Sequence, residues 1–550
     1  MDGHKTRVES PAEHFRYAIL PLFKDWTFGR TMLRLDSFLQ VFHSADDSPQ
    51  TWERRFYLLL GALLFWRLFY LAIVPLDLVP DEAYYWDWSR QLDWGYYSKP
   101  PLIAWIIALS THVLGVSTFG VRFPAVVFST VGLWALYLLA RRLYGKRVAF
   151  WAAAAAAASP GASALALIMT IDAPLMCFWC LALYTFWRAV DTQEPHALWW
   201  LSCAACLAIG FLSKQMMLVF PILGILFLLS AKEDRRILRS PWFFSSIVLS
   251  LLSLIPVIFW NIHHGLITIQ HTFHHFEASQ EKDLFFFLVT LFEYLGSQML
   301  IVSPITCLLL SAVSLITLCK YLRQDRKIRY LLTFSIIPLL VFVFMSLRQR
   351  INPNWPAAFY PAGIILFAAW AFGPITTGTW LDECRKFSRS GIALGLAFVA
   401  LTYVLPFFLI AVGLDGGPLD PAARMKGWHQ FGKDVGAILQ AQPRRDRTFL
   451  ITPDRQLTSE LAFYVPGQPH VFKWKEPGGG VDSQYDIWPG PTDRMGWDAL
   501  VVFPIDQKPG KALIACFQSF HYLGGLRLSR GHAGQREYDI YFGRSLQRWP

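Results

Sequence analysis

The sequence predicts a polytopic α-helical membrane protein that ends in a small α/β domain. Three observations carry this. The 550 residues are 54% hydrophobic and 16% aromatic but only 16% charged, against roughly 25% charged residues in soluble globular chains. About eleven apolar runs approach the length a helix needs to cross a bilayer, which is about 20 residues. After residue 414 those runs stop, and Gly-Pro turns, charges and short apolar segments replace them. This composition excludes a mainly soluble enzyme, a disordered chain and a fibrous protein.

Taken in order, residues 1–55 form a charged N-terminal segment without a signal-peptide cleavage pattern. Within it, 15–43 reads as an amphipathic helix lying on the inner membrane face. The transmembrane domain follows over 56–414. Its expected spans are 56–75, 121–140, 148–168, 173–190, 197–213, 215–231, 242–260, 298–318, 329–347, 355–373 and 391–413. The apolar runs 102–117 and 284–297 are assigned to the membrane surface. With the N-terminus inside, the inner loops hold seventeen Lys and Arg residues and the outer segments up to 414 hold seven, the asymmetry that sets membrane orientation. An odd number of spans then puts residues 415–550 outside, as a periplasmic α/β domain of a protein in the inner membrane. Its short apolar runs 448–452, 499–504 and 538–542 read as buried strands, and 458–464 as a helix between the first two.

Lys+Arg 50 against Asp+Glu 39 gives a net charge of +11. In an apolar chain that excess belongs to cytoplasmic loops, and no basic stripe with a nucleic-acid fold signature accompanies it, so nucleic acid is not an expected partner. Of eight cysteines, the pairs CFWC (177–180) and CAAC (203–206) have metal or redox spacing. They lie inside apolar runs and read as packing residues.

The polar residues that a membrane sequence does not need all fall at the outer helix ends. Asp81 and Glu82 follow the first span, Asp172 the third and Lys214 the fifth. Asn261, His263 and His264 follow the seventh, and Arg348, Arg350, Asn352 and Asn354 the ninth. Ionisable residues near membrane depth are functional candidates. The first outer loop, within 76–120, is the richest. Pro80 and the two acids open a helix in keeping with its dipole. Dense Trp and Tyr suit the headgroup level, and Arg90 and Lys99 supply positive charge. A carboxylate there suits proton removal from an attacking hydroxyl, and a lysine suits neutralising a lipid phosphate.

The motifs DEAYYW (81–86) and GYYSKPPLIAW (95–105) resemble the first-loop signature of GT-C membrane glycosyltransferases, and more narrowly the bacterial branch of glycosyltransferase family 39, which includes the aminoarabinose transferases and belongs to the dolichyl-phosphate-mannose-protein mannosyltransferase superfamily. MTIDAP (169–174), LSK (212–214), WNIHHG (260–265), GSQMLIVSP (296–304), NPNWPAAFYPA (352–362), LAFYVPGQP (461–469) and SQYDIWP (483–489) follow in the family's order. The resemblance implies a GT-C fold, a polyprenyl-phosphate-linked sugar donor, reaction at the outer face and inversion at the anomeric carbon. It implies Asp81 as the catalytic carboxylate, with Glu82 supporting it or binding substrate. Lys99 would hold the lipid phosphate with Tyr96 beside it, and Asp172 would complete the acidic cluster. Ser98 stands before Lys99 where the aminoarabinose branch has a glutamate, and the Asp81–Lys99 connection is shorter, which turns the resemblance toward the broader bacterial group.

The expected function is therefore an inverting glycosyltransferase with a lipid, glycan or protein acceptor, lipopolysaccharide modification included. Membrane lipids are further partners. Arg90, Lys214, Asn261, His264, Arg348 and Arg350 complete the candidate substrate-binding set. His271 and His275, four apart on an expected helix, are candidate ligands for a divalent metal ion. Two rivals stand beside this reading. A lipid-linked-sugar flippase or transporter would place its charges near the bilayer midplane in two related halves. A non-catalytic envelope assembly protein would not need carboxylates at the membrane edge.

Overall fold

The structure, a computed structural model, describes residues 48–191, 197–274, 284–321 and 324–550. These residues fall into two units, divided between Arg55 and Phe56. The amphipathic helix expected over 15–43 lies outside the described residues. In the first unit the Arg55 guanidinium sits 4.5 Å from the Trp52 ring centroid.

Among the described residues, eight helices are long and apolar enough to cross a membrane. They are Pro49–Ile73, Thr118–Tyr144, Asp172–Val190, Pro241–His263, Phe285–Val302, Arg326–Ser346, Trp355–Phe372 and Trp380–Val412. Ala197–Ser213, Gln215–Leu229 and Pro304–Lys320 are shorter apolar helices at other expected spans, and Leu102–Leu114 is the short run assigned to the surface. The chain is a multi-pass membrane protein.

Two expected elements are built differently. Residues 148–168 are not one helix: Lys146–Ala157 ends, and Pro160–Leu165 starts again at a proline, whose ring and missing N–H break the ladder. Residues 284–297, expected at the surface, continue without interruption into Val302. The break comes at Ser303, which adopts a left-handed φ of 91°. It is fully buried and donates its hydroxyl to Gly391 O at 2.9 Å, and Pro304 opens the next helix.

One end of the bundle gathers the basic loops. Arg326 and Arg329 both pair with Asp234 at 2.9 and 2.6 Å. Arg142 pairs with Asp191, and Lys327 donates to Leu143 O. The opposite end carries the first loop and the sheet domain.

That domain is a five-stranded mixed sheet of order β2-β1-β3-β5-β4, with β1 Thr448–Thr452, β2 Val471–Lys473, β3 Asp498–Pro504, β4 Phe517–Ser529 and β5 Gln535–Leu546. β1 runs parallel to β2 and β3, and β5 antiparallel to β3 and β4. β1 and β3 are buried along their whole length, as strands covered on both faces must be. One face packs Phe449, Ile451, Val501 and Phe503 into a local core. The other sends Leu450, Leu500 and Val502 into a core shared with the first loop, where Tyr84, Trp86, Trp88 and Tyr96 meet Leu457, Leu461 and Phe463. Each large side chain buried this way contributes about 1.5–3 kcal/mol. The loop helix and the sheet domain are thus held together by one apolar cluster.

Candidate active site

The loop helix Pro80–Ser89 fixes the site. Val79 is extended and Pro80 occupies the first turn, where its missing N–H costs nothing. Asp81 and Glu82 are neighbours in sequence, yet a helix turns about 100° between them, and their fates diverge. Glu82 has no exposed surface. It accepts from Arg122 Nε at 3.0 Å and Nη2 at 2.8 Å, from Val79 N at 2.9 Å and from Met169 N at 2.8 Å. Arg122 spends its remaining donors on Leu76 O and Asp77 O. Glu82 therefore ties the loop to the Thr118–Tyr144 helix and to the MTIDAP segment, and leaves no oxygen for a substrate. Asp81 points the other way, with 47% of its side chain exposed.

Asp172 opens the helix Asp172–Val190, where a carboxylate suits the dipole. It accepts from Lys214 Nζ at 2.7 Å and from Asn354 Nδ2 at 2.8 Å. Lys99 lies among these groups. Burial lowers its ammonium pKa to about 8, and the nearby Lys214 and Arg455 push the same way against the attraction of Asp172 and Asp81. Among the described residues Lys99 Nζ has no hydrogen-bond or ion-pair partner. The structure thus brings Asp81, Lys99, Asp172 and Lys214 together.

The other candidates make other contacts. Arg90 ends the loop helix, about 13 Å along its axis from Asp81, and bonds Asp87 and Gln468 O. Tyr96 is fully buried; it stacks on Trp88 with centroids 4.4 Å apart, and its hydroxyl holds the turn through Asp93 N and Gln91 O. Asn261 organises the WNIHHG turn, receiving Thr268 N on Oδ1, while Gly265 supplies a φ of 67°. His264 stacks on Trp260, whose indole N–H donates to Asp93 at 2.7 Å. A Cβ at Gly95 would come within 2.6 Å of that indole. These residues shape the loop that carries Lys99. Arg348 lies exposed along Phe344, and Arg350 pairs with Glu293 at 3.3 Å on the surface. His271 packs on Tyr97 with centroids 4.7 Å apart, and His275 lies outside the described residues. Among the described residues no three His, Cys, Asp or Glu side chains gather as a metal ion would need.

Sequence reasoning missed Arg455. It sits at the start of the sheet-domain helix Arg455–Tyr464, capped by Asp454, which accepts from Leu457 N at 3.0 Å. Its guanidinium pairs with Asp81 at 3.1 Å and lies 4.9 Å from the Tyr84 centroid. The loop leaving a parallel strand is where open sheets bind ligands, and that signal marks residues 453–455. Gln484 and Tyr485 were also missed as partners of the first loop; they bind Tyr97 N and Asp87.

An apolar cavity of about 310 Å³ adjoins the cluster. Phe128, Leu136, Met176, Ile301 and Ile364 line it within the helical bundle, and Asn354, the partner of Asp172, stands at its polar edge. A separate cleft of about 450 Å³ on the sheet domain, around His470, Trp488 and Trp549, includes none of the candidate residues.

A family model described as dolichyl-phosphate-mannose-protein mannosyltransferase matches residues 98–260. The lipid A galacturonosyltransferase RgtD of Rhizobium johnstonii is 27% identical over 427 residues, covering 76% of this chain and 85% of that protein. The undecaprenyl phosphate-alpha-4-amino-4-deoxy-L-arabinose arabinosyl transferase of Pseudomonas aeruginosa is 34% identical over 171 residues, which span 28% of this chain and 31% of that protein. Among solved structures, apo ArnT from Cupriavidus metallidurans superposes with a TM-score of 0.59 at 16% identity, covering 89% of this chain and 98% of that one. The same protein bound to undecaprenyl phosphate gives 0.57 at 17% identity, covering 88% and 97%. The chain is thus similar over residues 98–260 to the dolichyl-phosphate-mannose-protein mannosyltransferase family and over most of its length to a lipid A glycosyltransferase, and it shares the fold of the ArnT structures.

Proposed function

We propose that the protein is an inverting glycosyltransferase that moves a sugar from a polyprenyl-phosphate donor to a lipid A-type glycolipid at the outer face of the inner membrane. The observation that carries this reading is the meeting of Asp81, Asp172, Lys99 and Lys214, with Asn354 linking Asp172 to the edge of an apolar cavity within the bundle. The choice of acceptor rests on the lipid A enzyme matched over most of its length.

The chemistry follows from the parts. The donor phosphate is a diester with one negative charge. As its bond to the sugar C1 breaks, the electron pair stays on the phosphate oxygen, and the leaving monophosphate carries close to two charges. Cations held at that oxygen bind the transition state more tightly than the ground state, which lowers the barrier. Lys99 is the group for this task, because its ammonium has no other bond to give up. The acceptor hydroxyl attacks C1 from the opposite face, its oxygen forms the new bond, and Asp81 takes its proton. Lys214 and Asn354 fix Asp172 beside Lys99, where its charge helps keep that ammonium protonated. The apolar cavity receives prenyl units delivered by the membrane.

The excess of Lys and Arg in loops at the end opposite the site supports a cytoplasmic N-terminus and a periplasmic sheet domain. Mass spectrometry of glycolipids from cells with and without the gene tests the function. Lipid A species one sugar heavier should vanish with the gene, return with the wild-type protein and stay absent with Asp81→Asn. A lipid A profile indifferent to the gene refutes the acceptor, and full restoration by Asp81→Asn refutes the base.

A further inference from the structure

Three cations, Lys99, Lys214 and Arg455, crowd two carboxylates, Asp81 and Asp172. The pairing among them is uneven. Lys214 is committed to Asp172 at 2.7 Å, with only 11% and 5% of the two side chains exposed. Arg455 is held on Asp81 at 3.1 Å, but 44% and 47% of those side chains remain exposed. Arg455 comes from the sheet domain, and it is steadied from behind by the Tyr84 ring 4.9 Å away. Tyr84 is itself buried and bound by Gln484 N. The guanidinium is therefore anchored at one side and open at the other, close enough to Lys99 to repel it.

We propose that Arg455 is a second phosphate-binding group that exchanges partners during the cycle: it masks Asp81 in the donor-free protein and moves onto the donor phosphate, which frees Asp81 to accept the acceptor's proton. This rests on the polyprenyl-phosphate reading above. A guanidinium presents a planar fork of donors that matches phosphate as well as carboxylate. A phosphate between Lys99 and Arg455 would relieve their mutual repulsion. The exchange couples two events that must not occur apart. Without donor, the base is occupied; with donor, the base is released and the leaving group acquires its second cation. It also gives the sheet domain a direct part in the reaction, because the helix that supplies Arg455 packs on the helix that supplies Asp81.

Binding of undecaprenyl phosphate to the purified full-length protein in nanodiscs separates this role from a structural one. Arg455→Gln should weaken binding about tenfold, the worth of a charge-assisted hydrogen bond. Arg455→Lys should recover part of the loss. Asp81→Asn abolishes transfer under the reading above, yet here it should tighten undecaprenyl phosphate several-fold, because it releases Arg455. The double variant Asp81→Asn/Arg455→Gln should bind as weakly as Arg455→Gln alone. If Arg455 only positions Asp81, affinity stays within twofold of wild type in every variant while turnover falls, and the proposal is overturned. If the wild-type protein does not bind undecaprenyl phosphate at all, the donor assignment itself has failed.

Discussion

If the Lys99 ammonium holds the donor phosphate, transfer must fade as that ammonium loses its proton. Burial and the nearby Lys214 and Arg455 bring its pKa down to about 8 in the donor-free protein. The protonated form binds and is lost as pH rises, so activity falls on the alkaline side. At a pKa of about 8 the protonated fraction is about 0.9 at pH 7, 0.5 at pH 8 and 0.1 at pH 9, close to 1.4 kcal/mol of lost transition-state binding across that interval. The parameter to follow is kcat/KM for the donor, which reports ionisations of the free enzyme. It should drop nearly tenfold between pH 7 and pH 9. Lys99→Arg keeps its charge throughout this range, so its profile should be flat to pH 9, at a lower level because the fork differs from an ammonium. Lys99→Met should lose about a hundredfold at every pH. A wild-type profile flat to pH 9, or a Lys99→Arg profile with the same alkaline limb, rules out the Lys99 ammonium as the group that holds the donor phosphate.

Arg122→Ala strands the fully buried Glu82 carboxylate, which should cost about 3–5 kcal/mol; a sharp loss of folded yield and melting temperature is expected, and unchanged melting contradicts the anchoring role. Gly95→Val forces a Cβ within 2.6 Å of the Trp260 indole and should strain the turn by about 1–3 kcal/mol, seen as faster proteolysis of the first loop together with reduced transfer. Glu460 is fully buried in the sheet domain, and among the described residues neither carboxylate oxygen has a hydrogen-bond partner. Burial, with Asp77 and Glu82 nearby, raises its pKa well above the ordinary carboxylate range. The folded state then holds a proton that the unfolded state releases, so this residue weakens stability as pH rises above the unfolded value. Glu460→Gln should raise the melting temperature at pH 8 and lose that advantage toward pH 5, as followed by thermal scans; a gain that grows on acidification contradicts the assignment.

The apolar runs made most of the bundle legible, because a helix in lipid must be apolar along its length. The strands over 448–452 and 499–504 were legible for a similar reason, since burial on both faces leaves a nearly continuous apolar run, while 538–542 was legible from its aromatic and β-branched residues despite Asp539. β2 has three residues and β4 alternates between half-exposed positions, so neither stands out from a loop. The division at Ser303 is a tertiary event, a buried hydroxyl bonded to Gly391 O, and no local signal announces it. At the site, the residue types were readable and their directions were not. Asp81 and Glu82 look interchangeable as letters, and only the partner Arg122, forty positions away, turns one inward. Tyr96 and His264 read as ligand contacts because they sit beside Lys99 and Asn261 in the motifs, whereas their rings are spent on Trp88 and Trp260. Arg455 belongs to none of the motifs, and its partner Asp81 lies on the far side of the whole helical bundle in sequence.

Under the proposed function, Asp81 and Lys99 act together on a polyprenyl-phosphate sugar. The most direct test is single-turnover transfer by the purified protein in proteoliposomes, using radiolabelled undecaprenyl-phosphate sugar and purified lipid A. Label should move into lipid A with the wild-type protein and not with Asp81→Asn, and the donor should still bind that variant but bind Lys99→Met poorly. Label transferred equally by all three proteins would contradict the proposed function.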